Sequence, residues 1–175
     1  CFGKTIRPQG IDIIRTWLYY TILRVYQLTG KPAFKWVRIS GMGLDEKGEA
    51  MHKSKGNIID PEPILDKYGA DAFRYWAAAS AKLGYDYRFS EAMVKTGSLF
   101  ATKLWNIARY ISSFPEPDSF ELRPIDKSTL ALLNRLIITV DKGYSELDTY
   151  VSVNEVYQFT WNYFASHLSL IHISE

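Results

Sequence analysis

The chain has 175 residues, 47% hydrophobic and 15% aromatic, with a formal net charge of +2, which excludes a disordered chain and allows one ordinary domain or parts of two. No apolar run approaches the roughly 20 residues that span a bilayer, and no signal-peptide pattern is present. The single cysteine, Cys1, excludes an internal disulfide framework and fits a reducing cytoplasm, while His52, His167 and His172 show no structural-zinc spacing.

The charge is unevenly spread. Residues 1–60 carry ten Lys/Arg against five Asp/Glu, and residues 61–175 carry eleven against fourteen. A basic first third suits phosphate-bearing ligands, but an imbalance this small is equally an ordinary surface.

The first ten residues, CFGKTIRPQG, lack an initiator Met and read as the end of a strand or loop, so the chain is expected to be an internal piece of a longer one. From Asp12, the residues Ile13, Ile14, Trp17, Leu18, Thr21, Ile22, Val25 and Leu28 recur near the helical period, and Gly30-Lys31-Pro32 stops that helix. FKWVRIS has the content of a buried strand, closed by Gly41 and Gly43. Helix, strand and loop make half of a βαβ unit, in which ligands sit at the carboxyl ends of strands. The loop is AMHKSKGN, residues 50–57, where two ammonium groups and a hydroxyl could hold a polyphosphate. Short Lys/Ser/Gly clusters are more often solvated turns.

Asp60 can cap a short helix that begins at Pro61 and stops at Gly69. ADAFRYWAAASA reads as a second helix with Phe73, Trp76 and Ala77 inward, ending near Gly84, and YDYRFS as an extended link. Ser90 caps a long helix striped by Val94, Phe100 or Leu99, Leu104, Ala108 and Ile111. After the connector PEPDSFELRP, a helix starting near Asp126 uses Leu130, Leu133, Ile137, Val140 and Tyr144. A last one starting near Asn154 uses Val156, Phe159 or Thr160, Trp161 and Phe164. The expected fold is α/β plus all-α, its second part an incomplete helical bundle.

RPQGIDIIRTW, MHKSKGNIIDP, YGADAFRYWAA and KLWNIARYI occur in one order at compatible spacings, and FTWNYFASH follows. Together, over residues 7 to about 167, they resemble the class I aminoacyl-tRNA synthetases, and within them the archaeal-type valyl branch. The isoleucyl family usually shows D-Q after the glycine and then R-G-W, whereas here Asp12 is followed by Ile13 and Ile14. The resemblance implies the C-terminal half of a Rossmann-like catalytic domain in residues 1–58 and a connecting, stem-contact-like segment in 59–90. An anticodon-binding helical domain would begin in 91–167. LSLIHISE, residues 168–175, resembles a translated sequencing adapter and is set aside as a non-native tail.

Residue by residue, the resemblance implies that Gly10 lies against adenine while Asp12 accepts from the ribose hydroxyls. A carboxylate suits a vicinal diol, although Asp12 also reads as a helix cap. It puts Ile13 and Trp17 in the wall of the valine pocket, where core packing is the commoner fate of such a pair. AMHKS departs from the family's K-M-S-K-S loop, with Ala50 and His52 replacing a Lys and a Ser; Met51, Lys53 and Ser54 match. Met51 is implied near adenine, and Lys53, with Ser54 and the loop amides, at the triphosphate, Lys53 being the catalytic choice. The implied substrates are valine, ATP with Mg²⁺, and tRNA(Val), for a cytoplasmic monomer with no membrane partner. The alternatives are the isoleucyl or leucyl enzyme, or a non-catalytic tRNA-binding helical module. The family's H-I-G-H element and editing insert do not occur in this sequence, so the polypeptide alone is expected to be inactive.

Overall fold

The computed structural model describes residues 6–115, 119 and 121–168. Cys1, residues 116–118 and 120 of the connector, and residues 169–175 of the suspected tail lie outside the described residues. The chain divides into two compact units. The first runs to Ile59 and includes Ser80–Phe89; the second joins Asp60–Ala79 to the chain from Ser90 onward.

In the first unit, strands β1 (Ile6–Gly10) and β2 (Trp36–Ser40) pair in parallel, Ile6 opposite Trp36 and Gly10 opposite Ser40. A helical crossover joins them, and Gly30 ends it at φ 66°, a left-handed position that favours glycine. The expected helix is therefore present, but it is not α-helical from its start. A 3₁₀ turn (Ile11–Ile13) and a π-helical stretch (Ile14–Leu18) precede helix α1 (Tyr19–Thr29). Only Leu18 of this crossover is buried, while Trp17 is 67% exposed and Leu28 84%. Nor is β2 a buried strand: Trp36 is 56% exposed. A ribbon with one parallel partner among the described residues has too little cover for both faces.

YDYRFS forms strand β4 (Tyr87–Arg88), which pairs in parallel with β3 (Gly43–Leu44) and so is more than a link. Phe89 is buried behind it, and its N–H donates to the Leu44 carbonyl at 2.8 Å.

The second unit is helical: α2 (Pro61–Tyr68), α3 (Ala70–Ser80), α4 (Glu91–Ile111), α5 (Pro124–Ser145) and α6 (Thr149–Gln158), the last continuing in π-helical turns over Phe159–Leu168. Asp60 caps α2 by accepting from the Glu62 N–H, and Ser90 caps α4 by accepting from Met93 N–H, both as expected. Lys67 Nζ (2.7 Å) and the Tyr68 hydroxyl (2.9 Å) both donate to Glu91 Oε1, tying α2 to the start of α4. Lys67 holds the Glu91 carboxyl below its usual range, and Glu91 raises the Lys67 ammonium.

The core of this unit is Ala72, Trp76, Ala79, Val94 and Phe100. Val94 has no exposed surface, a burial worth about 1.5–3 kcal/mol for a side chain of its class. At Gly97 a Cβ would stand 2.8 Å from the Ala72 carbonyl, so α3 and α4 cross where no side chain intervenes. Tyr75, Phe100, Tyr157 and Trp161 meet ring to ring from α3 through α4 to α6 and its π-helical end, tilted, then edge-on, then stacked. Burial there, with Tyr157 adding to it, pushes the Tyr75 phenol up to about 12.

Several inward assignments shift. Ala77 is exposed, and Ala72 and Ala79 face inward instead. On α4 the buried positions are Val94, Gly97 and Phe100, whereas Leu99, Leu104 and Ile111 are exposed at 51%, 41% and 55%. On α5, Leu130 and Ile137 are about half exposed, at 49% and 56%. They border an open apolar groove of about 680 Å³ with Leu104, Val156 and Phe164. Helix α5 starts at Pro124, near Asp126 as expected, whereas α6 starts at Thr149, capped by Asp148, rather than near Asn154. Asn154 is instead an anchor whose side-chain amide donates to the Ala79 carbonyl at 3.1 Å. Among the described residues, no helix is long and apolar enough to cross a membrane.

Candidate active site

Parallel pairing with Gly10 opposite Ser40 puts the carboxyl ends of β1 and β2 on one edge. Open α/β sheets bind ligands at such an edge. Asp12 lies two residues past the first strand. It does not cap the helix: Gly10 occupies the N-cap position, with no side-chain cap bond. Gly10 is extended at φ −71°, so its backbone does not demand glycine. The demand is spatial, because a Cβ there would stand 2.7 Å from Asp12 Oδ1. Gly10 and the Asp12 carboxylate thus share one small space beside the strand end.

From Ser40 the chain runs through β3 into a tight turn. Asp45 accepts from the N–H groups of Lys47 (2.9 Å) and Glu49 (2.8 Å), and Gly48 takes a positive φ of 87°. Ala50 returns antiparallel to Leu44, and the Met51 N–H donates to the Gly43 carbonyl at 3.3 Å. The hairpin therefore brings the chain back to within three residues of β2, on the order of 10 Å even if fully extended. Lys53, Ser54 and Lys55 leave from there as one 3₁₀ turn, closed by Gly56 at φ 68°.

Met51 is half-buried and lies over Gly43, where a Cβ would meet its terminal methyl at 2.9 Å. Lys53 and Ser54 are exposed, and Lys53 has no ion pair among the described residues. Lys55 reaches Glu49 at 3.8 Å, an exposed pair of the kind worth at most about 1 kcal/mol. Ile13 ends the 3₁₀ turn and is half-buried, and Trp17 stands in the π-helical stretch and is exposed. Trp17 is also not core.

The structure adds two residues that the motif comparison passes over, Asp45 and Asn57. The Asn57 side-chain amide donates to Asp45 Oδ2 (2.9 Å) and to the Ala50 carbonyl (3.1 Å), and its carbonyl accepts from the His52 N–H (2.9 Å). Asp45 is 9% exposed. A signal was available: Asp three residues before Gly is a turn-initiating pattern.

The Asn57 amide, followed by the Glu49 N–H, holds the Asp45 carboxyl below the usual carboxylate range. Its contribution is therefore complete above that range and disappears as pH falls through the lowered value. Followed by NMR, the Asn57 side-chain amide protons should keep their shifts down through the ordinary carboxylate range and move only below it. A midpoint within or above that range would show that the amide does not hold this carboxylate.

The family model described as "tRNA synthetases class I (I, L, M and V)" matches residues 2–90. The chain belongs to the class I tRNA synthetases. Among curated members of this family, it is 64% identical over 167 residues to the valine–tRNA ligase of Aeropyrum pernix, covering 94% of this chain and 20% of that protein. It is 54% identical over 163 residues to that of Pyrobaculum aerophilum, and 46% over 163 to that of Nanoarchaeum equitans, each across 93% of the chain. The chain spans about a fifth of the length of these relatives, 20% of the first two and 22% of the third. Among solved synthetases, the fold is similar to a leucyl enzyme of Agrobacterium radiobacter K84 in a ternary complex with tRNA and LeuAMS (TM-score 0.68, 17% identity, 89% of this chain and 21% of that one). It is also similar to the methionyl enzyme of Mycobacterium tuberculosis bound to methionyl-adenylate (TM-score 0.65, 24% identity, 87% and 31%). Both show a class I synthetase fold.

Proposed function

We propose that this chain is part of a valine–tRNA ligase, which activates valine with ATP and transfers it to the 3′ end of tRNA(Val). The observation that carries the reading is the hairpin return of Met51 to Gly43, which starts the Lys53 turn at the same strand edge that bears Asp12. Identity of 64% to a valine–tRNA ligase across nearly the whole chain supports valine over isoleucine or leucine.

In this reading Asp12 accepts from the ribose hydroxyls of ATP, Gly10 leaves room for adenine, and Met51 packs near the base. Valine's carboxylate oxygen attacks the α-phosphorus, a new O–P bond forms, and the bond to the bridging oxygen breaks as pyrophosphate leaves. Lys53, Ser54 and the turn's N–H groups face the charge that grows on that leaving group. A tRNA terminal hydroxyl then attacks the carbonyl carbon of the adenylate and AMP departs. Ile13 and Trp17 remain candidates for the valine pocket, with the exposed indole of Trp17 covered by substrate or by further chain. Among the described residues no three His, Cys, Asp or Glu side chains converge to hold a metal ion. A Mg²⁺ that accompanies ATP would take its ligands from phosphate and water.

The domain assignment follows the same reading. Residues 1–58 supply the C-terminal half of the Rossmann-like catalytic domain, 59–90 connect, 91–167 begin the anticodon-binding bundle, and 168–175 are a non-native tail. The enzyme works as a cytoplasmic monomer. Pyrophosphate exchange into ATP by the full-length protein tests the assignment. Exchange should depend on valine and be much weaker with isoleucine or leucine. Preference for either of those would move the specificity, and no exchange with any would leave an RNA-binding module.

A further inference from the structure

The signature turn departs from its family at positions 50 and 52, and the contacts around it suggest why that is tolerated. Among the described residues, nothing in the loop's hydrogen bonding uses the side chains of Ala50 or His52. Asn57 reads their backbones instead, donating to the Ala50 carbonyl and accepting from the His52 N–H. Its remaining donor goes to Asp45, which is in turn fixed by the N–H groups of Lys47 and Glu49. Both ends of the turn are thus tied to one amide, and that amide to a nearly buried carboxylate. The left-handed Gly56 folds the chain back so that Asn57 can reach.

We infer that Asp45 and Asn57 form a clasp that positions Lys53 for the transfer step, independently of the side chains at 50 and 52. This rests on the role proposed for Lys53 above. Neither residue touches substrate in this account; both act through the turn. The Lys55–Glu49 pair cannot do the same, because both side chains are more than half exposed, at 55% and 62%. An amide with three hydrogen bonds to two backbone groups and a carboxylate has one arrangement, which is what a cation needs if it is to meet a charge that exists only in the transition state.

The test uses the full-length enzyme and valine-dependent pyrophosphate exchange. Asn57→Ala should lower kcat by about 10- to 100-fold, the effect of a misplacement of order 1 Å, while the KM for valine changes less than about twofold. His52→Ala should have a smaller effect than Asn57→Ala. Asn57→Asp alone sets two carboxylates against each other and should be at least as damaging as the alanine. The reversed pair, Asp45→Asn with Asn57→Asp, again faces a donor with an acceptor between 45 and 57 but leaves the Ala50 carbonyl without its donor, so it should recover only part of the rate that Asn57→Asp loses. Each variant is first checked for an unchanged melting curve, and the reversed pair carries the decision if Asn57→Ala melts early. Recovery by the pair supports the clasp; a pair no better than Asn57→Asp overturns it, as does a larger loss in His52→Ala. If Lys53→Ala abolishes exchange while Asn57→Ala leaves kcat intact, the clasp alone is wrong. If the unmodified enzyme shows no valine-dependent exchange, the functional reading has failed and the clasp's role falls with it.

Discussion

Replacing Lys53 with alanine in the full-length protein should lower the rate of valine-dependent pyrophosphate exchange by about 100- to 1,000-fold, the usual loss when one preorganised transition-state partner is removed. Valine affinity should barely change, because the pocket proposed for valine is at Ile13 and Trp17 and not at Lys53. The expectation comes from where charge moves. The triphosphate is already anionic before reaction, but bond cleavage concentrates charge on the departing pyrophosphate, and a fixed ammonium gains most at that moment. Lys53 is exposed and unpaired by any acidic group among the described residues, so its charge is available. Lys55, beside it, is engaged by Glu49 and should cost much less when removed. Stopped-flow or exchange kinetics at saturating and limiting valine separate the two effects. A loss confined to valine KM, with the rate intact, would overturn the assignment.

Gly41→Ala should be the most destabilising small substitution in the first unit, by about 1–3 kcal/mol or more, as for other overpacked sites. Its added methyl would overlap the Tyr85 carbonyl group and stand 2.6 Å from the Asp86 nitrogen. These are backbone atoms and cannot swing aside as a side-chain tip can. They are also held in place, since Asp86 Oδ1 accepts from the Met42 N–H at 2.7 Å. Relief would have to move the 85–86 backbone and, with it, the pairing of β4 on β3. Gly48→Ala is the useful contrast. Its φ of 87° is strained for alanine, but nothing lies within 4 Å of the new methyl, so a cost nearer 1 kcal/mol is expected. Thermal inactivation of the two variants in the full-length protein should rank Gly41→Ala as the weaker one. Equal midpoints would mean that the segment at 85–86 yields.

Much of this molecule was legible without coordinates. The caps at Asp60 and Ser90 and the stop at Gly30 and Gly69 are local chemistry: one carboxylate or hydroxyl near a free N–H, or one residue tolerant of positive φ. They hold whatever surrounds them. The inward stripes were less secure. Leu104, Ile111, Leu130 and Ile137 have the right spacing and are largely exposed, because periodicity says which residues share a face and not whether a partner covers it. Position 77 on α3 fails for a related reason, since the helix meets α4 through Ala72 and the bare backbone of Gly97.

The order of motifs was enough to assign the family and to propose Gly10, Asp12, Met51, Lys53 and Ser54 for the site, because the proposed ligand chemistry asks for a particular residue type at each. Contacts between segments distant in the chain were another matter. The pressing of Gly41 on Tyr85 and the capture of Asn57 by Asp45 each join residues whose local sequence states no preference for the other. Such pairings are decided by which backbone groups the folded chain leaves close together, unsatisfied and shielded from water, and that is a property of the tertiary arrangement alone.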